Sequence, residues 1–286
     1  MATTMLRLPP GVLGAESGPM THTVDARWLM AYAAGLGNTD ARLYDTLAAA
    51  GPVAHPMFPV CYEWPAVVAL REHVIPDELA PLSVHATHDL LITRLPRAGE
   101  TVTTTARMVA VEQRRSGTLV STRLSSVDAD GRPLTTTDYG SVYRGVEPSE
   151  VGRVADPLPS CPEVEATDRA WSERIEVPAG AAHVYTECAR IWNPIHTDAA
   201  VARAAGLPAI ILHGTATLAL AVSRVATREL DGDVAAIRRI RCRFTGFVRL
   251  PSAFVVRGRG RADSPIAFDA IGADGTTVLD AGVLST

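Results

Sequence analysis

The segment Trp192-Asn193-Pro194-Ile195-His196-Thr197-Asp198 places a turn, an imidazole and a helix start within seven residues. Leu212-His213-Gly214 follows, with Leu212 sixteen residues after His196. Asn193-Pro194 enforces the turn, because proline fixes φ and the asparagine amide bonds nearby backbone. His196 then projects from a defined loop, where a neutral imidazole can remove or deliver a proton near pH 7. Gly214 opens an apolar segment, Thr215 to Glu229, read as a helix. Backbone N–H groups at its start are placed to stabilise negative charge developing on a substrate oxygen. Glycine there permits close approach of a substrate. A single imidazole leaves such chemistry one proton-transfer group short, and the position two residues before Asn193, where an acid would be useful, holds Ile191.

The elements that must hold these residues recur twice along the chain. A linker, 147–168, rich in proline (Pro148, Pro157, Pro159, Pro162) and acidic residues, divides it into 1–146 and 169–286. Each part begins with a short helical stretch, Asp25 to Gly35 and Ala181 to Arg190, and continues through an alanine-rich segment. Tyr32 lies eight residues before Asp40, and Tyr185 eight before Asn193. A longer apolar helix follows, Tyr62 to His73 in the first part and Thr215 to Glu229 in the second. Four β-type segments close each part: Val84–Leu95, Thr101–Gln113, Gly117–Asp128 and Leu134–Arg144, then Ile237–Val248, Ala253–Arg261, Ile266–Ile271 and Thr277–Leu284. Asp130-Gly131 and Asp274-Gly275 are hairpin turns. This pattern predicts an α+β protein of two repeats, each an antiparallel sheet wrapped around a long central helix, the two sheets pairing edge to edge.

Composition narrows the function classes. The 286 residues include 47% apolar and 20% charged residues, ordinary for a globular protein with a substantial core. A net charge of −4 gives no general attraction to nucleic acid or anionic membrane. No apolar run is long enough to span a bilayer, and Met1 to Pro19 lacks the plan of a signal peptide. The four cysteines are widely spaced with no CxxC pair, so a zinc site is not expected, and free thiols suit a cytoplasmic location. All 27 basic residues are arginine, which excludes a Schiff-base or P-loop lysine. No metal or cofactor is expected.

Tyr185-x7-Asn193-Pro194-Ile195-His196-x-Asp198 with Ile210-Ile211-Leu212-His213-Gly214 resembles the MaoC-like or (R)-specific 2-enoyl-CoA hydratase family. The likeness is to its double-hotdog hydratase 2 type. Tyr32-Ala33-Ala34-Gly35-Leu36-Gly37 and His88-Asp89 to Arg94-Leu95-Pro96-Arg97-Ala98-Gly99 resemble the N-terminal repeat of that family. The resemblance implies a double hotdog fold and a hydratase or dehydratase acting on a 3-hydroxyacyl or 2-enoyl thioester of CoA or an acyl carrier protein. It implies His196 as proton-transfer group, Asn193 as part of the motif turn and Gly214 as the oxyanion contact. It also places the family's aspartate at Ile191.

Substitutes for that acid are Glu187, one helical turn earlier on the face of Ile191, then Asp198, or Asn38, Asp40, Glu63 or His55 from the first repeat. Glu187 is the favoured one. A site without the acid also suits isomerisation, conjugate addition or cyclisation, or acyl binding without turnover. Ile191 and Trp192 are expected against the substrate. His213 either bonds loop backbone or joins them. Arg190 beside Ile191 is read as a surface charge, or as a holder of a substrate carboxylate or phosphate. Arg239, Arg241 and Arg243 alternate along one strand face, either solvated or binding CoA phosphates or a carrier protein. The first repeat has Asp40-Ala41-Arg42-Leu43 at the corresponding turn. One site per chain follows, with the first repeat shaping the acyl pocket and the chain a monomer or homodimer.

Overall fold

A computed structural model describes residues 6–161, 163–164, 170–260 and 264–286. Part of the expected linker (162 and 165–168) and Arg261 of the expected strand lie outside the described residues. Five α-helices and eleven strands are present among those described. In chain order they are β1 (Met20–Thr23), α1 (Ala26–Gly35), α2 (Pro59–Val74), β2 (Ser83–Ile92), β3 (Thr101–Arg114), β4 (Gly117–Val127), β5 (Pro133–Arg144) and β6 (Gly152–Arg153), followed by β7 (Ala170–Val177), α3 (Ala181–Ala189), α4 (Ala199–Ala204), α5 (Gly214–Glu229), β8 (Arg239–Phe244), β9 (Ser252–Arg259), β10 (Ile266–Gly272) and β11 (Thr277–Ser285).

The strands form one antiparallel sheet in the order β1-β3-β4-β5-β2-β8-β11-β10-β9-β7, with β6 added to β3. The order reads the same from either end, with β2 matching β8, β5 matching β11 and β1 matching β7. β2 pairs with β8 from Thr87↔Arg243 to Leu91↔Arg239, so two half-sheets join into one at that seam. This is the edge-to-edge pairing expected above, and it leaves neither central edge exposed. The three strands that sequence patterning did not mark are β1, β6 and β7. Two are very short. The third, Ala170-Trp171-Ser172-Glu173-Arg174-Ile175-Glu176-Val177, is an outer strand whose polar face is solvated, so its apolar signal is weak.

Helices α2 and α5 pack against the sheet, α2 on β3 and β4 and α5 on β9 and β10. α5 buries Ala216, Leu218, Ala219, Val222, Val225 and Ala226, and each fully buried Leu or Val contributes roughly 1.5–3 kcal/mol. α2 starts on Pro59 and continues through Pro65, which cannot donate to the carbonyl one turn back. His55, just before α2, bonds Ser223 in the second half of α5 at 3.0 Å. Later residues of α2 (Glu63, Val67 and Arg71) line one cavity with the first residues of α5 (Gly214, Thr215 and Thr217), so the two helices pass in opposite directions.

The shared landmarks of the two repeats meet at the centre. The Tyr32 and Tyr185 hydroxyls are 3.4 Å apart. Tyr32 donates to the Met57 carbonyl ahead of α2, at 3.1 Å. Tyr185 donates to Thr215 Oγ1 at the start of α5, also at 3.1 Å. Each tyrosine thus fixes the entry of its own long helix.

Candidate active site

Asn193 caps a 3₁₀ turn over Pro194–His196, its side chain accepting from the Ile195 N–H, while its carbonyl accepts from the His196 N–H at 3.1 Å. Asp198 caps α4 by accepting from the N–H groups of Ala200 and Val201 at 2.8 and 3.2 Å. With both ends capped, the turn fixes where His196 points. In the first repeat, Asp40 caps the matching turn by accepting from the Arg42 N–H, and buried Leu43 stands where the second repeat has His196.

His196 is buried, and its Nδ1 lies 2.9 Å from the Ile211 carbonyl oxygen. A carbonyl only accepts, so Nδ1 carries the proton and Nε2 keeps its lone pair. No described residue bonds Nε2. Burial lowers the His196 pKa to about 4, against the smaller raising effect of the Ile211 bond. The ring is therefore neutral at pH 7 and basic at Nε2. His213 stacks on it at 3.7 Å between centroids and meets Thr186 Oγ1 at 3.2 Å through Nε2. Burial, and then the neighbouring His196, hold His213 well below the ordinary histidine range.

His213 is also the N-cap of α5, and its side chain does not cap the helix. Its carbonyl accepts from the Thr217 N–H at 3.0 Å, which leaves the N–H groups before Thr217 uncapped at the positive end of a 16-residue helix. A Cβ on Gly214 would stand 3.2 Å from the Phe244 ring, so glycine is what fits between that ring and the helix start.

These groups line one cavity of about 150 Å³. The second repeat contributes Ile191, Asn193, His196, His213, Gly214 and Phe244. The first contributes Glu63, Trp64, Val67 and Arg71 of α2, with His85 of β2 and Tyr139 of β5. Glu63 is 2% exposed, and its Oε1 accepts from Thr137 Oγ1 at 2.8 Å and Thr135 Oγ1 at 3.3 Å. Burial raises its pKa to about 7, and the two threonine bonds only partly oppose this. A buried carboxyl that titrates near neutrality can donate or accept a proton under working conditions.

The structure sorts the other expected residues. Ile191 is buried in the cavity wall, where no proton can be exchanged. Glu187 lies on the exposed face of α3 and does not reach the cavity. One helical turn does put it on the side of Ile191, but α3 ends at Ala189 and Arg190 turns left-handed (φ 58°), so the two side chains part. Trp192 is 63% exposed and does not line the cavity. Arg190 sits over the Trp28 ring at 4.2 Å, away from the site. Of the first-repeat alternatives, Asp40 pairs with Arg42, Asn38 accepts from the Asp40 N–H, and His55 is held between Ser223 and the Met57 N–H. Of these, only Glu63 reaches the cavity.

The arginine stripe is also away from the cavity. Along β8 the inward residues are Ile240, Cys242 and Phe244, so period two turns Arg241 and Arg243 outward. Arg239 is buried against Asp89, with both bonds of the pair at 2.9 Å, and it locks the β2–β8 seam. Arg243 pairs with Asp280. Sequence patterning alone does not mark Arg71, His85 and Tyr139, which the fold brings to the cavity. A faint signal existed, since Glu63, Val67 and Arg71 are spaced four apart on one face of an apolar helix.

Comparison with known proteins agrees with this fold. Residues 172–263 match the MaoC like domain, and residues 11–137 match the FAS1-like dehydratase domain region. The fold is that of a MaoC-like dehydratase from Phytophthora capsici, at TM-score 0.81 and 23% identity over 96% of this chain and 95% of that one. The peroxisomal multifunctional enzyme type 2 of Drosophila melanogaster superposes at TM-score 0.75 and 22% identity over 95% of this chain and 48% of that one. A Mycobacterium tuberculosis protein described as a double hotdog fold superposes at 0.64 and 15%, covering 95% and 94%. The β subunit of the fatty acid synthase of Aspergillus oryzae is 38% identical over 93 residues, which are 32% of this chain and 4% of that subunit. The chain thus spans a small fraction of that curated relative. Among the described residues there is no group of His, Cys, Asp and Glu suited to a metal ion, and no helix long and apolar enough to cross a membrane.

Proposed function

We propose that this chain, a double hotdog whose C-terminal half carries a MaoC-like dehydratase domain, interconverts a 3-hydroxyacyl thioester and its 2-enoyl form, with Glu63 in place of the missing aspartate. The carrier is CoA or an acyl carrier protein. The observation that carries the reading is the convergence on one cavity of three groups: a lone-pair imidazole nitrogen, a carboxyl titrating near 7 and an uncapped helix start.

In the dehydration direction the thioester oxygen rests at the N-terminus of α5. His196 Nε2 takes the α-proton, and the developing negative charge settles on that oxygen, facing the helix dipole. Protonated Glu63 gives its proton to the β-hydroxyl as the Cβ–O bond breaks and water leaves. The Cα–Cβ double bond forms from the electrons of the former C–H bond. Hydration is the reverse, with ionised Glu63 taking a proton from water and protonated His196 delivering one to Cα. The first repeat therefore supplies one reacting group as well as the acyl pocket, and one chain holds one complete site.

The test is loss of the conjugated enoyl absorbance with short and medium 2-enoyl-CoA and the carrier-protein forms. Turnover that disappears in His196→Ala and Glu63→Gln but persists in Glu187→Gln supports the proposal. Two further readings rest on Ile191: a non-hydrating reaction at the same site, or acyl binding without turnover. They predict no water addition by the wild type. A gain of hydration in Ile191→Asp alone would show that the usual reaction has been given up.

A further inference from the structure

Arg71 differs from the other part-buried arginines. Arg94 pairs with Glu100 and Asp128, Arg123 with Asp138, and Arg239 with Asp89. Arg71 lines the cavity, its Nε is shut off from water, and no hydrogen bond or ion pair forms to it among the described residues. Its one close partner is the Trp64 ring, 5.9 Å away. An excluded guanidinium N–H without an acceptor is costly, and it marks a place where an acceptor arrives from outside the chain.

The cavity has a direction. Gly214 faces Phe244, whose ring lies 4.4 Å from His85, and His85 stacks on Tyr139 at 4.0 Å. Arg71 lines the same cavity as His85 and Tyr139. The ring contacts thus run from the helix start in the second repeat to Tyr139 in the first, on whose side Arg71 also lines the wall. Phe247 of the second repeat also lines the cavity and is 51% exposed, so the wall on that side reaches solvent. Glu63 is the one carboxylate in the wall, and it lies eight residues from Arg71 on the same helix, about 12 Å along its axis. The first-repeat part of the wall also offers hydroxyls, those of Ser83 and Tyr139.

We infer that the far end of the acyl pocket is a carboxylate subsite built on Arg71, so that the preferred substrate is a thioester whose acyl chain ends in a carboxylate. The guanidinium fork, including the idle Nε–H, holds that group in two parallel bonds, and the hydroxyls complete it. The inference rests on the thioester reading above, but it is a statement about binding and does not depend on which reaction follows.

Calorimetric titration tests it without turnover. The ligands are saturated acyl-CoA pairs of equal length, ending in methyl or in carboxylate, and the matching N-acetylcysteamine thioesters, which lack phosphates. Wild type is expected to bind the carboxylate-ended member of each pair at least about tenfold tighter. Arg71→Met removes that preference and leaves methyl-ended binding equal or improved, while Arg71→Lys keeps part of it. Equal affinity of the wild type for both endings overturns the inference, and this holds even if Arg71→Met fails to fold. It is also overturned if Arg71→Met weakens both CoA ligands alike and leaves both N-acetylcysteamine thioesters unchanged, because Arg71 then serves the CoA phosphates. Absence of turnover with every thioester would defeat the hydratase reading and leave the binding preference standing.

Discussion

If Glu63 and His196 share the proton transfers, the rate must follow the protonation of the pair. Dehydration needs neutral His196 and protonated Glu63, and hydration needs the reverse arrangement. Both forms hold one proton in total, so both directions show the same bell in kcat/KM against pH. Burial places the limbs at about 4 for His196 and about 7 for Glu63. Activity is therefore highest in mildly acid solution and falls about tenfold per pH unit above 7, or ~100-fold by pH 9. Glu63→Gln removes the alkaline limb and lowers the plateau by about 10²–10⁴-fold, the usual worth of a positioned acid or base.

A stability measurement checks the same residue independently. The Glu63 pKa is raised in the folded state, from 4.5 to about 7. Its contribution is fully present below 4.5 and lost as pH rises through 7, where folding must bury an ionised carboxylate. The lost contribution is about 3 kcal/mol above pH 7. Glu63→Gln should accordingly melt near the wild type at pH 5 and clearly higher at pH 8. The reasoning is refuted if wild-type kcat/KM is flat or rising through pH 7–9, or if the alkaline limb survives in Glu63→Gln.

Gly214→Val drives side-chain atoms into the Phe244 ring, 3.2 Å from a Cβ at that position, and should cut kcat by about 10²-fold or more while His196 titration by NMR stays unchanged. Asp89→Asn leaves Arg239 buried without its charge partner at the seam, so chemical denaturation should show a loss of about 3–5 kcal/mol, whereas Arg241→Ala on the outer face should shift stability by less than about 0.5 kcal/mol. His88 is buried with both ring nitrogens unpartnered and its pKa lowered to about 4 by burial. Its contribution is present above 6.5 and lost as pH falls toward 4, worth about 3 kcal/mol, so His88→Leu should flatten the acid side of a stability-versus-pH curve.

What could be read in advance follows from the range of the forces involved. The turn at Asn193, the helix starting at Gly214 and the Asp40 turn of the first repeat are set by residues a few positions apart, and the structure has them where the chain shows them. The long helices and the paired central strands carry strong apolar periodicity. Glu187 was a local solution to a local gap, and it fails because Arg190 turns the backbone at the end of α3. The arginine stripe misleads for a similar reason. Alternation does put those side chains on one face, but which face looks into the pocket is decided by Ile240 and Cys242 packing against the helices. Arg71 and Tyr139 join the site only because α2 crosses above β5, far away along the chain.

Ile191 therefore does not settle the chemistry alone. The cavity needs a second titrating group, and a double hotdog can draw it from either repeat because α2 and α5 run past each other in opposite directions. The position of Glu63 on α2 corresponds by count from the helix start to Leu218 on α5, since both helices have 16 residues. In the first repeat, Leu43 and Pro59 stand where the second has His196 and Gly214, so that repeat has no lone-pair imidazole and no glycine at its helix start. Its helix is thereby free of its own site and available to the other. A double variant separates this arrangement from a merely structural Glu63. If Glu63→Gln is partly rescued by Ile191→Asp, the two positions serve one proton, delivered from opposite walls of the same cavity. If Glu63→Gln instead loses the fold or acyl binding along with turnover, and Ile191→Asp restores nothing, Glu63 acts by holding the pocket together rather than by transferring the proton.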